Sequence, residues 1–320
     1  MVWSGAANIA QNGITIYMLD MSSVTVSEDK TVVHVEPGTL LGKVYDTLDP
    51  LGLNVVSGRS ITVGTEGFMI GGACLHRSLV FLLTCCAIGG ISNMSPRQGF
   101  ANHNIVGYQV VLSNGTIVET TSVDYPELFF ALHATSTNFG VVTRYEIVAF
   151  SFTEYWGGLR QFNVSQASAL VNGTLIYMDK LQSHSSGFTT LTLGYNGTAG
   201  TDIALQNFAY LAADGSNAAI FSDLLSLPFN HSLDTLRGNI HRQSLYAEID
   251  ASFGVGQRTL FSTFTFKADP EFPLDFFRPC AERVCAVHKH VHILGDQLPT
   301  PPYSRPEQGS KQFQPPGSYR

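Results

Sequence analysis

The clearest chemical signal lies between Val55 and Gly72. A β-branched pair, Val55-Val56, leads into a stretch where glycine recurs at Gly58, Gly64, Gly67, Gly71 and Gly72, with Arg59, Thr62 and Val63 between them. Glycine at this density lets the backbone take positive φ and lets a bound group come close to the main chain. Successive inward N–H groups form concavities that hold phosphates. The same spacing also describes an ordinary glycine-rich turn. Arg59 has two readings: a partner for a pyrophosphate, or a surface cation beside a turn. The pattern resumes at Gly89-Gly90-Ile91-Ser92 and runs on to Asn102-His103-Asn104-Ile105.

Other reactive residue types form no matching constellation. Cys74, His76, Cys85 and Cys86 sit together, as do Cys280, Cys285, His288, His290 and His292. Neither group contains a CxxC pair or another established zinc spacing, so no metal site is predicted. No GxSxG elbow, HExxH helix or paired Cys/His motif occurs in a plausible context. No strand–GxGxxG–helix unit marks a Rossmann domain. The net charge of −7 comes with no concentrated basic patch, which sets nucleic acid aside. Apolar residues make up 44% of the chain and charged residues 13%, enough to bury a sizeable core.

These residues need elements to hold them. Apolar runs predict a strand over 13–19 and a hairpin of Val24–Val26 with Thr31–Val35 around Ser27–Lys30. His34 alternates with apolar neighbours and reads as a structural histidine. Leu40, Val44, Tyr45 and Leu48 have helical spacing, ended by Asp49-Pro50-Leu51-Gly52. Strands are predicted at 108–112 and 116–119, a helix from Tyr125 to His133, and a turn at Asn138-Phe139-Gly140 into a strand carrying Val142. Composition then shifts at residue 151. Strands are predicted at 154–160, 188–195, 204–211 and 259–266, with helices over 166–181 and 218–227. An antiparallel sheet with helices on one face satisfies that order. The end, 276–320, is proline-rich and polar, and is predicted to be a disordered tail. The apolar run Leu79–Ile88 is about half the length a membrane-spanning helix needs, so no membrane role is predicted.

Taken together, Gly58-Arg59, Thr62-Val63-Gly64-x-x-Gly67, Gly71-Gly72, Gly90-Ile91-Ser92, Asn104-Ile105, Asp124-Tyr125-Pro126-Glu127-Leu128 and Asn138-Phe139-Gly140-Val141-Val142 resemble, in order, the PCMH-type FAD-binding domain of the vanillyl-alcohol-oxidase superfamily. The pattern is most similar to the fungal berberine-bridge-enzyme-like oxidases. The resemblance implies an α+β fold: a PCMH-type FAD-binding subdomain over 1–150, then an incomplete substrate domain over 151–275. It implies FAD held by Gly58, Arg59, Thr62, Val63, Gly64, Gly67, Gly71, Gly72, Gly90, Ser92, Asn104, Ile105, Gly140 and Val142. It further implies a small-molecule substrate, an alcohol, sugar or secondary metabolite, with O2 as acceptor.

The sequence departs from that family in several places. The family runs through three adjacent glycines where this chain places 73–89 between Gly72 and Gly90; translated intron is the expectation for that insert. The family's Arg-Ser-Gly-Gly-His loop, whose histidine often bonds the flavin, would precede the strand at 13–19, so a missing N-terminal part is expected. A frameshifted reading is expected for 276–320. Ser60 stands where some members place a thioether-forming cysteine, so any flavin is expected to be non-covalent. Leu132-His133-Ala134 replaces the family's Leu-Arg-Gly. Tyr155, Glu154 and Tyr195 lie near family-like strands, yet none can be assigned as the catalytic base. Sequons at Asn163, Asn172, Asn196 and Asn230 suit a secreted glycoprotein, although Met1–Gly5 is no signal peptide. Two other readings stay open: a non-catalytic remnant of the family, and a secreted glycan- or small-molecule-binding module.

Overall fold

A computed structural model of the chain describes residues 12–70, 90–133, 138–151, 154–181, 183–196, 201–216, 218–252, 270 and 290–293. The elements that carry the first sheet are β1 (Val24–Val26), β2 (Val32–Val35), α1 (Leu41–Leu48), β3 (Leu53–Asn54), α2 (Thr65–Met69), α3 (Ser95–Gln98), β4 (Ile105–Val111), β5 (Ile117–Thr121), α4 (Pro126–Leu132), β6 (Val141–Val148) and β7 (Phe150–Ser151). The sheet order is β1-β2-β6-β4-β5, antiparallel throughout, and β3 pairs separately with β7. Strand period 2 puts Val33, Val35, Tyr108, Val110, Tyr145 and Ile147 on one buried face.

Helix α1 seals that face with Leu41, Val44, Tyr45 and Leu48. It begins one residue later than the apolar spacing predicted. Leu40 is the extended N-cap residue and is 46% exposed, and Leu41 takes the core position. The predicted stop is present: Asp49–Leu51 tightens into a 3-10 turn and Gly52 closes it at φ 68°.

The predicted strand at 13–19 is not formed. Ile14 is 85% exposed and Tyr17 78%, and none of the described strands pairs with the run. Its backbone instead folds over Gly38, whose N–H donates to the Met21 carbonyl at 2.8 Å. A Cβ at Gly38 would stand 2.1 Å from the Met18 oxygen, so glycine is required by this approach.

The second sheet is built from β8 (Tyr155–Phe162), β9 (Gly187–Asn196), β10 (Thr201–Tyr210), β11 (Asn230–Asp234), β12 (Arg237–Ile240) and β13 (His290–Ile293), joined by α5 (Ala167–Lys180), α6 (Ser222–Leu225) and α7 (Arg242–Ser252). Its order is β11-β8-β10-β9-β13, with β12 also on β8. Residues 290–293, inside the stretch predicted as a disordered tail, pair with β9 through Val291 and Leu193. The predicted strand at 259–266 lies outside the described residues.

Leu191, Leu193, Ala204 and Phe208 face α5 and α6 and share a core with Trp156, Leu170, Tyr177 and Phe221. The opposite face joins the first unit's core: Tyr155, Phe188, Ala209 and Leu211 cluster with Val55, Val56, Tyr45 and Met69. Helix α7, which the sequence pattern did not reveal, enters that shared core with Leu245 and Tyr246. The chain is thus an α+β protein of mixed helices and antiparallel sheets. No helix among the described residues is long and apolar enough to cross a membrane.

Candidate cofactor and substrate site

The glycine turn is fixed against the start of α1. Leu41 and Gly42 donate their N–H groups to the carbonyls of Val63 and Ile61 at 2.9 and 3.0 Å, and Thr65 donates to Thr39 from its N–H and its hydroxyl, each at 2.8 Å. The Tyr45 hydroxyl donates to the Gly58 carbonyl at 2.5 Å. From α7, Asp250 accepts the Ile61 N–H at 2.9 Å.

The glycines divide into two kinds. Gly58 and Gly90 both lie against the Phe68 ring: a Cβ at Gly58 would be 3.2 Å from that ring and 2.7 Å from Leu41, and one at Gly90 only 2.5 Å from the ring. Gly90 also has φ +84°. These two make room for a side chain of the fold itself. Gly64 and Gly67 differ, because a Cβ at either meets nothing within 4 Å among the described residues. Gly64 sits at φ −70°, ψ 138°, which any residue can adopt. Neither packing nor backbone conformation demands glycine there; open access to the main chain is what glycine provides. Thr62 and Val63 are exposed on the same turn. Gly71 and Gly72 lie outside the described residues.

The following loop is closed by its own polar side chains. Gly90 accepts the Ala101 N–H at 2.9 Å. The Ser92 N–H donates to Ser95 Oγ at 2.8 Å, while Ser92 Oγ accepts the Met94 N–H at 3.2 Å. Asn104 Nδ2 donates to the carbonyls of Gln98 and Phe100 at 3.0 and 2.9 Å. Ile105 opens β4 in the core. Gly140 and Val142 are at the other end of that strand, Val142 opposite Val110. At about 3.4 Å per residue this places them roughly 20 Å from Ile105. The structure therefore gathers Gly58, Thr62 to Gly67 and Gly90 around one turn, places Ser92, Asn104 and Ile105 beside it, and sets Gly140 and Val142 apart.

Arg59 leaves the turn for the second sheet. Its Nη1 donates to Thr190 Oγ1 on β9 at 3.0 Å, and its guanidinium lies 5.1 Å from the centre of the Phe188 ring. Burial pushes its pKa down. Among the described residues no carboxylate stands within ion-pair distance of it.

A second arginine, unremarked in the sequence, crosses the seam the other way. Arg242, at the start of α7, is 2% exposed; it pairs with Asp49 at 2.9 Å, donates to Asn54 Oδ1, and lies over Tyr45 at 4.6 Å. Asn54 Nδ2 donates to the Tyr155 hydroxyl at 2.9 Å, and Asn93 Nδ2 to that of Tyr246 at 3.2 Å. Burial, as the main cause, raises the pKa of Tyr155 and Tyr246. Tyr155 is thereby tied to Arg242 through the side chain of Asn54. Arg242 and Asp49 are 193 positions apart, and no local pattern could have paired them.

Beside the seam is a cavity of about 310 Å³ lined by Met94, Arg97, Gln98, Ala149, Phe150, Ser151 and Leu211, at the small end of the range for ligand sites. Among the described residues no group of three His, Cys, Asp or Glu side chains could hold a metal. Cys74, His76, Cys85, Cys86, Cys280, Cys285 and His288 lie outside them. His133, which stands where the resembled family has arginine, has its Nδ1 2.9 Å from the Phe129 carbonyl, and burial lowers its pKa.

The fold defined by these sheets is that of the PCMH-type FAD-binding oxidases. The 6-hydroxy-D-nicotine oxidase of Arthrobacter nicotinovorans superposes with TM-score 0.59 at 20% identity, over 74% of this chain and 48% of that one. The berberine bridge enzyme of Eschscholzia californica superposes with TM-score 0.51 at 18% identity, over 65% and 38%. In sequence the chain is similar to the FAD-dependent monooxygenase tpcD of Cochliobolus heterostrophus, 30% identical over 269 residues, which cover 83% of this chain and 48% of that protein. The chain spans about half the length of the curated relatives it matches. No protein-family model matches it.

Proposed function

We propose that the chain binds FAD non-covalently and works as an FAD-dependent oxidoreductase of the berberine-bridge-enzyme-like kind, oxidising an alcohol, sugar or secondary metabolite with O2 as acceptor. The observation that carries the reading is the turn from Thr62 to Gly67. It is braced on α1 and on Asp250, and it exposes glycine backbone at Gly64 and Gly67 that packing does not require. Such a surface fits a dinucleotide, whose phosphates are held by peptide N–H groups. Sequence similarity to FAD-dependent monooxygenases supports the same cofactor.

In this reading the turn from Thr62 to Gly67 holds the cofactor against the seam. Phe68, packed against Gly58 and Gly90, fixes the turn's position. The second sheet, through Phe188, Thr190 and its neighbours, faces the substrate. Ser60 has no thiol for a thioether, and its hydroxyl lies 3.1 Å from that of Thr62. When bound, the flavin supplies two-electron oxidation of the substrate, while the protein contributes orientation and exclusion of water.

The test is uptake of FAD by the purified full chain. Flavin absorbance that co-purifies or is taken up at stoichiometry, with a rise in melting temperature on adding FAD, is expected, because a ligand specific for the folded state stabilises it. Protein that stays colourless, with a melting temperature indifferent to FAD, contradicts the proposal.

A further inference from the structure

The geometry points to Arg59 as the receptor for an anionic group on the substrate, a carboxylate or an ionised phenol, presented against the face of β9 and β10. Calling that anion a substrate rests on the flavoenzyme reading above; the anion site itself rests on the residues. A guanidinium carries five N–H donors in a fixed fork. Arg59 is half-buried yet spends one donor on a neutral threonine hydroxyl, and its ring contact is with Phe188. A cation over an aromatic ring gains less than it costs to withdraw an arginine from water. Arg242, more deeply buried, meets that cost with Asp49 and Asn54. Among the described residues Arg59 has no such partner, and the donors left over match the two oxygens of a carboxylate.

The sheet face beside it carries the complementary deficit. Asn207 on β10 stands directly across from Thr190 in the β9–β10 register, so the two side chains share a face. Asn207 is 6% exposed, and its Oδ1 is buried without a hydrogen-bond partner among the described residues, while Nδ2 donates to the Gly158 carbonyl at 3.2 Å. Unused donors and an unused acceptor on adjoining positions call for a ligand that brings a negative oxygen and a hydroxyl. A pyrophosphate supplies only the first.

The experiment uses the full chain incubated with FAD, benzoate as the anionic probe and benzamide as its neutral isostere, with binding read by calorimetry. Flavin fluorescence reports cofactor affinity in the same samples. Truncating one partner of a desolvated charge pair costs 2 kcal/mol or more, so wild type is expected to prefer benzoate by about thirtyfold. Arg59→Met should abolish that preference, Arg59→Lys should retain part of it, and FAD affinity should be the same in all three. Equal binding of the two probes by wild type overturns the inference, as does a preference that survives in Arg59→Met. A loss of FAD affinity in Arg59→Met matching the loss of benzoate also overturns it, because the cofactor is then the anion that Arg59 meets. An Arg59-dependent benzoate preference in protein that takes up no flavin leaves the anion site standing and refutes the flavoenzyme reading.

Discussion

Arg242 and Arg59 both cross between the two sheets, and they have opposite fates. Arg242 is enclosed and its charge is matched: it meets a carboxylate, an amide oxygen, the Leu53 carbonyl and the face of Tyr45. Arg59, half-buried, is matched among the described residues by neutral groups alone. The glycines show the same contrast. Gly58 and Gly90 are filled by Phe68, while Gly64 and Gly67 look onto open space. One side of the seam is finished structure, and the other keeps unspent hydrogen-bonding capacity at an accessible backbone. That difference separates residues that hold the fold from residues left available to a ligand.

The largest effect should come from the finished side. Arg242→Met leaves Asp49 and Asn54 without their cation, and breaking a buried pair costs about 3–5 kcal/mol; denaturant unfolding should show it, and a loss below 1 kcal/mol would erase the contrast. Gly90→Val should follow. It forces a β-branched residue to φ +84° and drives its Cβ into Phe68, for a cost of about 2–3 kcal/mol. Arg59→Met should change stability by about 1 kcal/mol or less, in either direction, because removing an unmatched cation also removes its desolvation. A loss as large as that of Arg242→Met would show Arg59 to be structural. Smallest is Gly64→Val: a side chain in open space at an unstrained φ and ψ should leave stability without ligand within about 0.5 kcal/mol.

Much of the framework was legible because it is local. Alternation in Val32–Val35 and the helical spacing of Val44, Tyr45 and Leu48 each report which face meets the core, and the runs at 188–195 and 204–211 mark the central strands of the second sheet. The run at 13–19 misled for the same reason: apolar residues signal a strand only where a partner strand exists. The site was half legible. Glycine density located the turn but could not tell the glycines that admit Phe68 from those that face open space, since that depends on where Phe68 lands. The network of Asp49, Asn54, Tyr155, Arg242 and Tyr246 was invisible, because its members meet only after the two sheets close on each other. Sequence offered Arg59 two readings, a pyrophosphate partner or a surface cation, and the fold brings its Nη1 to Thr190 on the second sheet.

The central claim is that the turn at Gly64 is kept open for a dinucleotide. FAD titration of wild type and Gly64→Val, followed by flavin fluorescence and melting temperature, addresses it directly. The account predicts that both proteins melt at the same temperature without FAD, and that wild type alone takes up the flavin and melts higher with it. Equal uptake by the valine variant, at an equal affinity, would contradict the account.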